Sequence, residues 1–480
     1  MKIILLASVL ILTACSSAIE PPTEQVLQPR LNKVEHDNNI KRAASGEVIT
    51  VANIQKDLVQ LAHYIDTIHP EPSYTMDMQQ VKLAISELSN NVTQPMTQFE
   101  SWKYLSQLNP LFNDAHMQIK YPDSSEMRKQ HLANGGLLFP AEVMIDSAKR
   151  LFVTEVKKAE KRLQVGDEII AINGVSTVTI VNEMLDRIYG DSPKHRIGMA
   201  SQAFSSMYWM LFGDTVTYEL AVISNQVDRK VILKGRSELD FELNPPLSDI
   251  VQRKILDNGI GYIKIDQFYY SPEQESGFFD FINETWKVFH HANVNDVIID
   301  VRNNPGGTDH YWMQGIAPFV ANKAFSLISG FKVRMTERNL RLGPVKGEAG
   351  TVVVGPLEYL IQVDNDNPYH IPGKAYLLMG AMSYSSTNLF LTSMQDAKEA
   401  VVVADKNKNS ARSCTTGRIE TMTLAASKLE VILPTAIFIR PAGASLCQQP
   451  IKPDMHIAED PMNSLNAISS LAAAIVLSRD

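Results

Sequence analysis

Cysteine is scarce: 480 residues carry three, Cys15, Cys414 and Cys447. So few exclude a scaffold stapled by many disulfides, and no Cys/His cluster has metal-ligand spacing, so neither a metal nor a cofactor is expected. Long apolar runs are also lacking. The run Ile3 to Leu12 behind Met1-Lys2 is too short to span a bilayer as a stable helix and has the pattern of a signal peptide. No later segment is apolar for long enough to cross a membrane. A basic run is missing too. Lys and Arg number 45 against 53 Asp and Glu, a net charge of −8, which gives nucleic acid no footing. With 45% apolar and 20% charged residues, what remains is a soluble globular chain with room for two to four domains.

The most informative stretch is Asp296-Val-Ile-Ile-Asp-Val-Arg-Asn-Asn-Pro-Gly-Gly307. Val297 to Val301 reads as a strand buried on both faces. It runs into Pro305, which lacks an amide donor, and two glycines whose backbone can approach another group closely. A buried strand that delivers glycine amides at its carboxyl end is one way to build an oxyanion site; the plain alternative is a Gly-Gly turn. Upstream, Asp257 to Ile265 reads as a turn and a strand, and Phe278 to His290 as an amphipathic helix between the two strands.

Nearer the N-terminus the period is helical. Ile54, Leu58, Leu61 and Ile65 share a face, as do Val81, Ile85 and Leu88, then Phe99, Trp102, Leu105 and Leu108. Three helices between about 50 and 112 follow from this spacing. Asp114-Ala-His116 then leads into a strand, Met117 to Tyr121. Leu151 to Val156 alternates as a strand does, and Ile197 to Phe212 is an apolar helix or flap. Ala375 to Met379 is another buried strand. It turns through Gly380-Ala-Met-Ser-Tyr-Ser-Ser-Thr387 into a helix, Asn388 to Asp396. A hydroxyl at a helix start lies in the field of unpaired N–H groups, and Ser383, Ser385 and Ser386 compete for that place. Each could equally be an N-cap.

Tyr262-Ile-Lys-Ile265 and Ile299-Asp-Val-Arg-Asn-Asn-Pro-Gly-Gly307 together resemble the core of the tail-specific, or C-terminal processing, serine peptidases, with the tricorn core among them. The resemblance implies an α/β fold: a crotonase/ClpP-like β-β-α core, an N-terminal helical segment and an inserted PDZ-like β domain. Leu163-Gln-Val-Gly-Asp-Glu-Ile-Ile-Ala-Ile-Asn-Gly-Val175 resembles the PDZ signature, and Gly136, Leu137 and Leu138 would bind a peptide carboxylate. The expected layout is a signal peptide over 1–14, a tether over 15–48, the helical segment over 49–134, the PDZ-like domain over 135–236 and the catalytic core over 247–480.

Asp114-Ala-His116 resembles the family's Asp-Gly-His element, in which the His is the general base. In register, Ser385 takes the nucleophile's place, and the amides of Gly306 or Gly307 and of Ser386 would form the oxyanion hole. Ala115 departs from the pattern, and in the tricorn branch a Ser here helps orient the His. Cys447 aligns near that branch's closing Glu, which leaves His116 without an orienting partner. Arg418 stands where bacterial relatives carry a Lys base, and an arginine cannot act as a base. The activity implied is serine-type endopeptidase cleavage of peptides or protein C-terminal regions in the cell envelope. The alternative is a catalytically dead binding lipoprotein of the same fold.

Leu12-Thr-Ala-Cys15 resembles a lipobox, which implies lipidation of Cys15 and a membrane partner through the anchor. Ser16 in place of Asp favours the outer membrane, facing the periplasm. Two cysteines then remain in an oxidising compartment, and a Cys414–Cys447 disulfide is expected, with free buried thiols as the alternative.

Overall fold

Thr50 starts the first helix. Its backbone is extended and its side chain accepts from the Asn53 amide, which caps α1, Val51–Ile68. Ile54, Leu58, Leu61 and Ile65 are buried along α1 at the helical spacing. Asp77 caps α2, Met78–Asn91. Thr97 and Glu100 form a capping box on α3, Gln98–Leu105. A further helical turn, Asn109–Phe112, stops at Asn113, whose φ of 47° is left-handed. The chain then enters β1, Gln118–Ile119, shorter than the strand expected there. The computed structural model describes residues 48–122, 124–156, 161–237, 246–342, 345–357, 359–364, 366–405, 412–457 and 464–477. The signal peptide, Cys15, Ser16 and the tether up to residue 47 lie outside these.

Next come β2 (Glu142–Ile145), β3 (Leu151–Glu155), β4 (Glu168–Ile172), α4 (Pro193–Gln202), α5 (Phe204–Phe212), β5 (Thr217–Ser224) and β6 (Val227–Lys234). The strands form an antiparallel sheet in the order β2-β3-β4-β5-β6. α5 buries Phe204, Met207, Tyr208, Trp209, Met210 and Leu211, so this apolar stretch is core rather than a flap.

The third part holds β7 (Val251–Ile255), β8 (Gly261–Ile265), α6 (Pro272–His291), β9 (Val297–Asp300), β10 (Gly330–Arg334), β11 (Val352–Pro356), β12 (Ala375–Met379), α7 (Ser386–Ala397), β13 (Ala400–Asp405), β14 (Thr415–Thr423), β15 (Glu430–Ile439), β16 (Met455–Ile457) and α8 (Ser464–Leu477). One sheet runs β16-β13-β12-β9-β8-β7, parallel except for β7. Both its faces are covered, which is why its strands read as continuous apolar runs. Val297, Ile299 and Val301 pack with Phe278, Ile282 and Trp286 of α6 and Phe390 of α7. Ile298 points the other way, into the cluster with Ile468, Leu471 and Ile475 of α8. Asp300 pairs with Leu378 in register, so the loops after β9 and β12 leave the sheet side by side. Such a carboxyl edge is where an α/β sheet places its site.

A second sheet is built on β15. β1, β10 and β14 all pair with it antiparallel, and β11 continues beyond β10. The N-terminal helical segment is therefore stitched to the C-terminal third by backbone hydrogen bonds. Buried Asp57 of α1 adds to this by accepting from the Ala426 and Ser427 amides at 2.9 and 2.7 Å. The described residues belong to one compact unit.

Candidate active site

The turn after β12 holds three serines in three different environments. Ser383 is fully buried, accepts from the Gly380 amide at 3.0 Å and donates to the Val301 carbonyl at 2.6 Å. Ser386 donates to Asp309 Oδ1 at 2.5 Å and accepts from Trp312 Nε1 at 3.1 Å. Both hydroxyls tie the turn to the strand and loop beside it. Ser385 differs. Its φ of 60° and ψ of −125° are costly for a residue with a Cβ, and its side chain caps nothing. Its Oγ instead meets His116 Nε2 at 2.9 Å. A strand that turns sharply through a serine at positive φ into a helix is a nucleophile elbow in form.

His116 reaches this point because β1, which follows it, pairs with β15. β14 pairs with the same strand and carries Thr416 to the imidazole's other side. His116 Nδ1 lies 2.9 Å from Thr416 Oγ1, and Thr416 Oγ1 lies 2.7 Å from Asp114 Oδ1. The proton count follows from these contacts. Ionised Asp114 only accepts, so the single Thr416 proton points to it, and the Thr416 lone pair accepts from His116 Nδ1–H. Nε2 is then unprotonated and faces the Ser385 hydroxyl, as a general base must. Asp114 Oδ1 also accepts the His116 amide at 2.7 Å. Burial raises the Asp114 carboxyl, but the facing His69 ring and the charge and amide of His116 outweigh it, so the carboxyl sits below its ordinary range.

The sequence reading left His116 without an orienting partner, and Thr416 is that partner. It lies in the same Thr415-Thr-Gly-Arg418 string considered for a base, while Arg418 itself is exposed. A hydroxyl in a strand after the nucleophile helix was the available signal; the strand pairing that uses it was not legible.

Of the glycines, Gly306 is buried at φ 97°, and a Cβ there would stand 2.7 Å from Ser385 Cβ and 2.9 Å from the Ser386 amide nitrogen. Only glycine fits so close to the turn. One expectation needs correcting: the Gly306 amide is not free for an oxyanion. It donates to Asn304 Oδ1 at 2.8 Å, and the same oxygen accepts from Thr387 Oγ1 at 2.8 Å. Gly307, exposed at φ 137°, and Ser386, first residue of α7, have amides with no partner among the described residues.

Cys414 and Cys447 are joined in a disulfide. The bridge closes 33 residues and contributes about 3–4 kcal/mol on the chain-entropy model. It also holds the chain two residues before Thr416. The expected carboxylate-binding turn at Gly136, Leu137 and Leu138 does not present three free amides. Gly136 N–H donates to the His131 carbonyl at 2.9 Å and Leu138 N–H to the Arg236 carbonyl at 2.8 Å. The turn is closed by its own backbone bonding. Among the described residues no group of three or more His, Cys, Asp or Glu could hold a metal ion.

Residues 259–457 match the model of peptidase family S41. This stretch, which holds the glycine loop, Ser385 and Thr416, is similar to that family, and the chain is a serine-type peptidase. Mature CPAF complexed with lactacystin is similar in fold, with a TM-score of 0.63 at 13% identity over 88% of this chain and 97% of that one. Mature CPAF alone gives 0.61 at 13% identity over 88% and 96%. No curated protein matches the chain.

Proposed function

We propose that the protein cleaves peptide bonds through an acyl-enzyme formed on Ser385. His116 Nε2 takes the Ser385 proton as Oγ bonds to the carbonyl carbon. The protonated ring then gives that proton to the leaving amine as the C–N bond breaks. Water, deprotonated by the same nitrogen, attacks the ester, and Ser385 regains its proton as the acid leaves. Thr416 holds the ring's tautomer, and Asp114, 3.8 Å from Nδ1, balances the imidazolium. The Gly307 and Ser386 amides would receive the oxyanion. The observation that carries this reading is the 2.9 Å contact between His116 and a strained serine that caps nothing.

Labelling by a fluorophosphonate tests it. The wild type should label at Ser385, and Ser385→Ala should not. Ser385→Ala and His116→Ala should each lower hydrolysis by several orders of magnitude, with the double variant scarcely worse, since they act as a unit. Ser383→Ala should keep its label and lose about 1–3 kcal/mol of stability. Full turnover in Ser385→Ala would sink the assignment.

The same reading places the enzyme in the cell envelope, acting on peptides or protein C-terminal regions. Lipidation at Cys15 would anchor it, residues 15–48 would tether it, and residues 135–236 would serve as a PDZ-like domain beside the core. A disulfide accords with an oxidising compartment. Cys15→Ala should release the protein from the membrane fraction and end palmitate labelling; unchanged labelling would refute the anchor.

A further inference from the structure

Asp114 has a second oxygen that the relay to Ser385 does not use. Oδ1 accepts from Thr416 and from the His116 amide. Oδ2 is buried with no hydrogen-bond partner among the described residues, and the group facing it is His69 Nε2 at 3.7 Å. His69 is itself fully buried, and its Nε2 also lacks a hydrogen-bond partner among those residues. Two unsatisfied polar atoms, one on a carboxylate, stand opposite each other in a closed space. Either alone is costly to leave unsatisfied away from water. A closure of roughly 0.7 Å brings them to hydrogen-bond length.

The direction of that bond follows from the other side of the ring. Glu71 N–H donates to His69 Nδ1 at 3.0 Å, so Nδ1 is an acceptor and the neutral ring carries its proton on Nε2. His69 is held from several sides. It ends α1, and its carbonyl accepts from Arg334 Nη2 at 2.9 Å. Glu71 pairs with Lys332 at 2.5 Å. Tyr74, five residues on, donates to the Cys414 carbonyl at 2.9 Å. The N-terminal helical segment thus delivers an aimed N–H donor to the back of the candidate site.

We propose that His69 is a positioning residue that donates Nε2–H to Asp114 Oδ2 and holds the carboxylate ionised and in line behind Thr416 and His116. The proposal rests on the Ser385–His116 reading above. It makes the relay five groups long, from His69 through Asp114, Thr416 and His116 to Ser385. The demand on Asp114 is greatest when His116 is protonated, so His69 should matter to the chemical step and not to ligand binding.

The experiment is the kinetics of labelling by a fluorophosphonate probe in the full chain. His69→Phe keeps the ring's bulk but has no donor. It should lower the maximal labelling rate about 10- to 100-fold, a fraction of what a general base contributes, with the probe's half-saturation concentration within about twofold. His69→Gln, whose amide can reach the Nε2 position, should recover to within about threefold of wild type. Equal loss in both variants would reduce His69 to packing, and no loss in His69→Phe would refute the proposal outright. Should the Phe variant not fold, the tautomer decides the matter in wild-type protein. Nitrogen-15 NMR of histidine-labelled enzyme should show His69 protonated on Nε2, and protonation on Nδ1 alone would overturn the inference. Failure of the underlying reading looks different: Ser385→Ala would keep its label whatever His69 does.

Discussion

Thr416 controls which nitrogen of His116 carries the proton. Its hydroxyl donates to Asp114 and accepts from Nδ1–H, so removing it should strand a buried N–H and let the ring turn. Thr416→Val keeps the shape and should lower kcat about 10- to 100-fold with little change in KM. Thr416→Ser should stay within a few fold of wild type. Turnover of both variants on one peptide substrate checks this, and an active Thr416→Val would show that Asp114 orients the ring unaided. Ser385 and His116 were legible in the sequence because each sits in a local pattern: a serine between a buried strand and a helix, and a histidine after a helical segment. Thr416 and His69 were not. One is 300 residues from His116, and the other meets Asp114 across a helix end, so neither contact leaves a periodic trace.

Two loops that leave neighbouring parallel strands do most of the positioning. Asn304 binds them together, accepting from the Gly306 amide and from Thr387 Oγ1 and donating to the Ile265 carbonyl at 3.2 Å. Any side chain at Gly307 collides with backbone, since its Cβ would lie 2.0 Å from the Phe268 carbonyl oxygen. Gly307→Ala should therefore displace the loop and lose at least 100-fold in kcat, about the effect of one oxyanion donor. A variant that folds with its melting temperature intact and keeps full activity would show that the loop has room and that its amide is not needed. The strand-loop part of this arrangement was readable in Val297 to Gly307, because a continuous apolar run signals two covered faces. The engagement of the Gly306 amide was not readable, since it depends on which way an asparagine side chain folds back.

At the scale of the whole molecule, one sheet of strands from distant parts of the chain brings the base to the nucleophile. β1 and β14 share β15 as a partner, a pairing of long sequence separation that no window of residues reveals. The part of the chain that carries β2 to β6 also touches the site, through α4 and the turn before it. Asp191 Oδ1 accepts the Ala115 amide at 2.7 Å, next to His116, and the His195 ring lies 4.7 Å from that of Tyr384, next to Ser385. Burial pushes the His195 imidazole below its ordinary pKa, with the charges of His116 and Arg196 acting the same way and Asp191 against them. Its Nδ1 accepts the Asp191 amide at 3.3 Å, which puts the proton of the neutral ring on Nε2, where no partner stands among the described residues. The unfolded chain binds a proton at this histidine near pH 6.5, and the folded chain binds it only at lower pH. Stability from this group is therefore complete above that pH and declines as the pH falls below it, by at most about 1.4 kcal/mol per unit. Replacing the ring by one that does not titrate removes that slope. Urea unfolding of wild type and His195→Phe at pH 7.5, 6.5 and 5.5 should show the two curves converging as the pH falls, because the wild type loses more. Parallel curves would mean that the folded protein protonates His195 as readily as the unfolded chain, and that α4 does not hold a neutral ring against the serine turn.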